Sequence, residues 1–184
     1  HWYYIRQDNY AAIQAAAKRD LGIFIISPTD KGGHLHTPSD RLTELCKPLH
    51  PIVFNDLFCL NQPSVHTISI GISRLEDLNK HLEALKLLPH AIEYLQPISD
   101  RLYKAACLAL GEDWLNTWSV GLPSWEDSPG GMNIPVLLWL HNLVEAWGME
   151  GFAKAHYSLL GNGGHWFPGG NADLLDQEVT VKDL

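Results

Sequence analysis

The sequence predicts an α/β part built from alternating strands and helices, followed by an all-α part. Three observations carry that reading. First, Leu21–Gly33 (LGIFIISPTDKGG) is an apolar run that stops at Ser27-Pro28 and gives way to a charged, glycine-containing loop. Such a run reads as a parallel strand buried on both faces. Second, Val65–Ile72 (VHTISIGI) repeats the pattern and passes through Gly71 into Ser73-Arg74-Leu75-Glu76, a helix-start signature. Third, strand signals vanish after about Leu87. In parallel α/β folds, ligands bind at the C-terminal ends of the strands. The two strand-to-helix junctions carry Lys31 and Arg74, and together they form a candidate anion site.

Taken in order, His1–Ile5 reads as the end of a strand. Asn9 can cap a helix through Tyr10–Arg19, which the alanines favour. Leu21–Ser27 is the buried strand. Gly32 to Pro38 is a loop, and Ser39 or Asp40 can cap a short helix ending near Cys46. Pro51–Leu60 reads as a further helical stretch with proline near its first position. After the second strand, Ser73 and Glu76 have capping-box spacing. Leu75, Leu78, Leu82 and Leu85 then form an apolar stripe at helical spacing. Beyond Leu87, Ala91–Leu110 is helical, with Ile92, Leu95, Ile98, Leu102 and Ala106 on one side. Leu122–Gly131 is a turn-rich connection. Asn133–Trp147 is a helix capped by Asn133 and closed by Gly148, and Met149–Leu160 is another. Gly161–Gly170 (GNGGHWFPGG) is a glycine-rich loop carrying aromatics, and the tail Asn171–Leu184 is polar and mostly acidic.

The chain has 184 residues, enough for one domain with a real core. Its formal charge of −8 argues against general nucleic-acid binding, which wants a basic face. It leaves room for a local cationic pocket. No apolar run is long enough to cross a bilayer, and no signal peptide is read. The chain begins His1-Trp2-Tyr3-Tyr4, already inside an aromatic strand-like run, and so reads as entered midway. Cys46, Cys59 and Cys107 are odd in number, far apart and free of any CxxC pair. That favours a reduced cytoplasmic protein with buried thiols. Three strand–helix units cannot close a barrel, which takes roughly eight. Three parallel strands alone also leave an open edge. Something else therefore completes the sheet, or the sequence is part of a longer chain.

The segments HWYYI, GIFIISPTDKGGHL and PIVFNDLFCLNQPSVHTISIGISRLEDLNKHLEAL resemble the C-terminal half of an aldo/keto reductase. The closer resemblance is to the bacterial and cyanobacterial branch with a helical, ferredoxin-like C-terminal extension. GLPSWEDSPGGMNIPVLLWLHNL and LLGNGGHWFPGG resemble that extension. The resemblance implies residues 1–87 as the last three strands of a partial TIM (β/α)8 barrel, and 88–184 as the helical extension. It also implies an NADP(H) site. Ser27 would contact the pyrophosphate, with Asp30, Lys31 and Gly32 on the next loop. Gly71, Ser73 and Arg74 would hold the adenosine phosphate end, and Asp77 and His81 would lie on the adenine side. The physical logic agrees, since a helix N-terminus offers free N–H groups and Arg74 can add a charge-assisted contact.

The resemblance has three departures. The family's Asp, Tyr, Lys and His tetrad comes from the first four strands, none of which is present, so no catalytic residue is assigned here. The nicotinamide-stacking aromatic aligns with Ile26. The extension segment Pro123–Pro135 has no cysteine, so no iron–sulfur cluster is expected there.

Plainer readings stand beside these. Ser73 serves as a cap alone, or as a cap and a cofactor contact. Arg74 and Lys31 are solvated or bind phosphate. His81 is a surface histidine or an adenine contact. His34 and His36 have the spacing of a metal pair but no third ligand nearby. His141, His156 and His165 have no ligand-like spacing, and Trp139, Trp147, Trp166 and Phe167 read as packing that docks the extension. Gly161–Gly164 lacks the lysine and serine of a phosphate loop. The expectation is therefore an NADP(H)-dependent oxidoreductase that reduces a small carbonyl substrate. This chain would supply the cofactor's phosphate-binding part, would need the missing N-terminal barrel half, and would be inactive alone. The alternatives are a non-catalytic interaction or scaffold subunit and, against the missing cysteines, an electron-transfer module.

Overall fold

The computed structural model describes residues 1–72 and 74–174. Two compact units divide the chain, His1–Lys104 and Ala105–Leu184. The division falls inside a long helix, later than the change of character near Leu87.

In the first unit, α1 (Tyr10–Ala17) precedes β1 (Phe24–Ile26), and α2 (Asp40–Cys46) and α3 (Pro51–Leu60) follow it. Next come β2 (Thr67–Ser69), α4 (Leu75–Leu87) and α5 (Ala91–Leu110). Ser39 caps α2 by accepting the Leu42 N–H at 3.0 Å. Pro51 opens α3, where its missing N–H costs no hydrogen bond. Asn9 precedes α1 without a side-chain cap bond.

The sheet corrects the expected architecture. The described residues hold one two-stranded sheet, β1 beside β2, within a mostly helical chain. A partial TIM barrel with three strands does not form. Instead of a strand, His1–Ile5 makes a turn closed by two backbone bonds between Tyr3 and Arg6. Its aromatics explain that choice. Tyr3 is fully buried, and Trp2 stacks on Phe58 with centroids 4.6 Å apart, a packing that an extended edge strand would forfeit. With no third strand and no layer on the far side among the described residues, β1 is covered on one face only. Ile25 is buried while Phe24 and Ile26 are 57% and 40% exposed. The expected two-sided burial of this strand is overturned for the same reason.

Helix α3 forms the centre of the unit and packs against α2, α4 and β2. Ile52, Val53, Phe54 and Leu57 are buried in it, and so are Asn55 and Asp56. Asp56 meets His81 of α4, while Asn55 serves the loop after β1. The leucine stripe predicted from helical spacing does not face inward. Asp77, His81 and Ala84 are the buried positions, while Leu75, Leu82 and Leu85 lie exposed. In α5, Leu95, Ile98 and Leu102 are buried as expected, but Ile92 faces water.

The second unit contains α6 (Glu112–Thr117), α7 (Ile134–Trp147) and α8 (Glu150–Leu159). Asn133 caps α7 by accepting the Val136 N–H at 3.1 Å, and Gly148 ends it in a left-handed conformation, φ 67°. Gly161–Gly170 returns to the start of α7. There Asn133 Nδ2 donates to the Pro168 carbonyl at 2.9 Å. Within the unit Trp139 meets Phe152 edge-on, and Phe167 packs at tilted angles against Trp139 and Trp166, with centroids 4.3–5.8 Å apart. No helix among the described residues is long and apolar enough to cross a membrane.

Candidate anion-binding site

β1 and β2 run parallel, with Phe24 opposite Thr67, Ile25 opposite Ile68 and Ile26 opposite Ser69. The segments that follow them therefore leave from the same end of the sheet. Ser27 extends the ladder by one bond, its N–H donating to the Ser69 carbonyl at 3.2 Å. The Tyr3 hydroxyl donates to the Ile26 carbonyl and pins the end of β1. Burial raises the Tyr3 phenol well above its ordinary pKa, so it stays protonated and able to donate.

The loop after β1 winds tightly. Ser27 takes a left-handed conformation (φ 54°), uncommon for a residue with a side chain. Its carbonyl accepts the Lys31 N–H at 3.0 Å, and the Asp30 carbonyl accepts the His34 N–H at 2.6 Å. The Asp30 carboxylate lies 3.3 Å from His34 Nε2. Asn55 holds the loop from beneath. Its Nδ2 donates to the Pro28 carbonyl at 2.8 Å, and its Oδ1 accepts the Tyr4 N–H at 3.2 Å. This close approach requires Gly32. A Cβ there would sit 1.9 Å from the Pro28 oxygen and 2.7 Å from Asn55 Nδ2.

After β2 the chain opens. Gly71 is exposed, and a Cβ on it would meet no atom within 4 Å. Ser73 lies outside the described residues. Arg74 is exposed, with extended backbone, and its N–H donates to Asp77 Oδ2 at 3.0 Å. In return the Asp77 N–H donates to the Arg74 carbonyl at 3.1 Å.

Asp77 and His81, assigned to the adenine side by resemblance, point into the protein. Asp77 is fully buried, its Oδ1 3.1 Å from Lys80 Nζ and its Oδ2 3.3 Å from His36 Nδ1. His81 Nδ1 meets Asp56 Oδ2 at 2.5 Å. Burial raises the Asp56 pKa, and the bond and charge of His81 pull it back. Nearby, His50 Nδ1 accepts the Ile52 N–H at 3.2 Å and so caps α3. Burial and the Lys80 cation lower the His50 pKa to about 4, which keeps the ring neutral and able to accept.

The structure thus brings Ser27, Asp30, Lys31 and Gly32 to one end of the sheet, with Gly71 and Arg74 leaving the same end. Among the described residues no group of three His, Cys, Asp or Glu side chains could hold a metal ion. Cys46 and Cys59 are buried, and burial raises the Cys46 thiol to about 12, far from a reactive thiolate. Sequence reasoning missed Asn55, Asp56 and His50, and weighed His36 only as half of a metal pair. The signal for the first two was present, a polar pair inside the otherwise apolar PIVFNDLFCL. No protein-family model, curated protein or solved structure matches the chain.

Proposed function

We propose that the His1–Lys104 unit holds the phosphate end of a nicotinamide dinucleotide, as part of an NADP(H)-dependent oxidoreductase of the aldo/keto reductase type acting on a small carbonyl compound. The parallel register of β1 and β2 carries this reading, since it sends the Lys31 loop and the Arg74 junction out on the same side. Arg74 would bind the 2′-phosphate by charge-assisted hydrogen bonds. Lys31 and the Ser27 hydroxyl would take the pyrophosphate, and the exposed backbone at Gly71 lets a phosphate come close. When bound, the nicotinamide would supply a hydride to the carbonyl carbon. This chain's residues would anchor the remote end, whose binding energy orients the reactive ring.

Calorimetric titration of the chain with NADPH and with NADH tests the proposal. A charge-assisted contact is worth about 1.5–3 kcal/mol, or roughly 10–100-fold in affinity. Arg74→Ala should weaken NADPH binding by at least the lower figure and leave NADH unchanged. Equal loss for both, or no binding of either by the unaltered chain, would defeat it. The chain alone should reduce no carbonyl compound.

A second reading, an interaction or scaffold subunit, draws support from the exposed Phe24 and Ile26 on β1. Sedimentation velocity separates the two. On this reading Phe24→Ser would abolish self-association or capture of a partner, and would leave any nucleotide affinity untouched.

A further inference from the structure

The carboxylate of Asp77 stands between the two segments that border the candidate site. Its Oδ2 accepts the Arg74 N–H at 3.0 Å, on the β2 side. The same oxygen lies 3.3 Å from Nδ1 of His36, on the segment following β1, a close contact outside hydrogen-bond geometry that leaves this buried nitrogen facing the carboxylate with no hydrogen bond of its own. Its Oδ1 accepts from Lys80 Nζ at 3.1 Å. Asp77 is wholly buried, so each of these interactions is poorly screened by water. His36 in turn belongs to the wound loop. Thr37 N–H donates to the His34 carbonyl at 2.9 Å, and Leu35 N–H donates to the Thr29 carbonyl at 2.8 Å. One carboxylate therefore touches both the segment after β1, at the His36 ring, and the backbone that carries Arg74.

We propose that Asp77 is a positioning residue, acting through His36 and the Arg74 amide to set the spacing between the Lys31 loop and Arg74. The value of this brace for nucleotide binding rests on the function proposed above. The brace itself does not. A single phosphate-bearing ligand that spans both segments needs them at a fixed separation, and a surface arginine alone cannot fix it. The inward aim of Asp77 also explains why a carboxylate is tolerated in the first turn of α4 beside an anion site. Its charge is answered inside the protein by Lys80 and the Arg74 amide.

Two measurements test the brace on the intact 184-residue chain. The first is amide hydrogen exchange without nucleotide. In Asp77→Asn, amides at Gly33, His34 and Leu35 should exchange about tenfold faster, although they belong to the loop after β1 and not to α4. A residue that only capped α4 would leave these loop amides unchanged and speed only Arg74 to Leu78. That second pattern overturns the proposal. Should Asp77→Asn fail to fold, His36→Gln removes the same link from its partly exposed end, and the loop amides must again speed up while those of α4 stay protected. The second measurement is titration with adenosine 2′,5′-bisphosphate. Asp77→Asn and His36→Gln should each weaken it about five- to tenfold, and the double variant should be no weaker than the worse single one, as expected for one shared link. Fully additive losses overturn the link. If the unaltered chain binds none of this ligand, the proposed function fails, and hydrogen exchange still decides on the brace.

Discussion

The carboxylate of Asp56 and the imidazole of His81 meet at 2.5 Å, and both side chains are almost wholly removed from water. They join the middle of α3 to the middle of α4. A buried pair of this kind holds the fold less by its net energy than by the penalty for breaking it.

Removing one partner should therefore be costly. Asp56→Ala leaves the imidazole buried beside an empty site and is expected to lower stability by about 3–5 kcal/mol. The double replacement Asp56→Leu/His81→Leu should cost markedly less than the two single losses added together. Urea denaturation of all three variants and the unaltered chain measures this coupling. Additive losses would mean that the pair does not act as a unit.

Gly32 offers a geometric prediction. A methyl group there would overlap the Pro28 carbonyl and crowd Asn55. Gly32→Ala should destabilise the unit by about 1–3 kcal/mol as the loop shifts off Asn55. It should also abolish the nucleotide affinity proposed for Lys31. Gly22→Ala is the control, because nothing stands within 4 Å of its added carbon. Thermal unfolding of the two variants side by side checks the contrast, which depends on Asn55 being where it is.

His50 makes stability depend on pH in a defined direction. Its pKa falls from the ordinary histidine value of 6.5 to about 4 on folding, chiefly through burial and then the Lys80 cation. The unfolded chain then binds more protons than the folded one between those two values. The His50 contribution is present in full above pH 6.5, shrinks as pH falls below it and is gone below about pH 4. In His50→Asn, which can still cap α3, the loss of stability between pH 6.5 and 4 should be shallower. Identical slopes for the two proteins would remove His50 as the cause.

Much of the local structure was legible in the sequence because its causes are local. Ser39, Pro51, Asn133 and Gly148 set helix ends through bonds spanning a few residues, and each sits where the spacing put it. The parallel pairing of Leu21–Ser27 with Val65–Ile72 was also implied by their shared pattern. What failed depended on distant partners. An apolar run does not say whether both its faces are covered, so Phe24 and Ile26 read as core. Aromatic HWYYI read as strand because its turn depends on Phe58 and Asn55, more than 50 residues away. At the candidate site, Lys31, Gly32, Gly71 and Arg74 were visible as junction residues. The roles of Asn55 and His36 were not: the polar pair in PIVFNDLFCL marks Asn55 as unusual and the His34–His36 spacing marks His36, but neither local signal says which distant loop or helix the side chain meets.

The inverted orientation of α4 has a thermodynamic consequence. A helix normally docks by withdrawing apolar surface from water, which gives its release a large positive heat capacity. Helix α4 withdraws a carboxylate and an imidazole beside the small Ala84, and leaves three leucines wet. Its own side chains should therefore add little to the heat-capacity change on detachment, which comes mainly from the α3 surface that it uncovers. The temperature dependence of α4's release is therefore set by the face of α3 beneath it more than by α4's own residues.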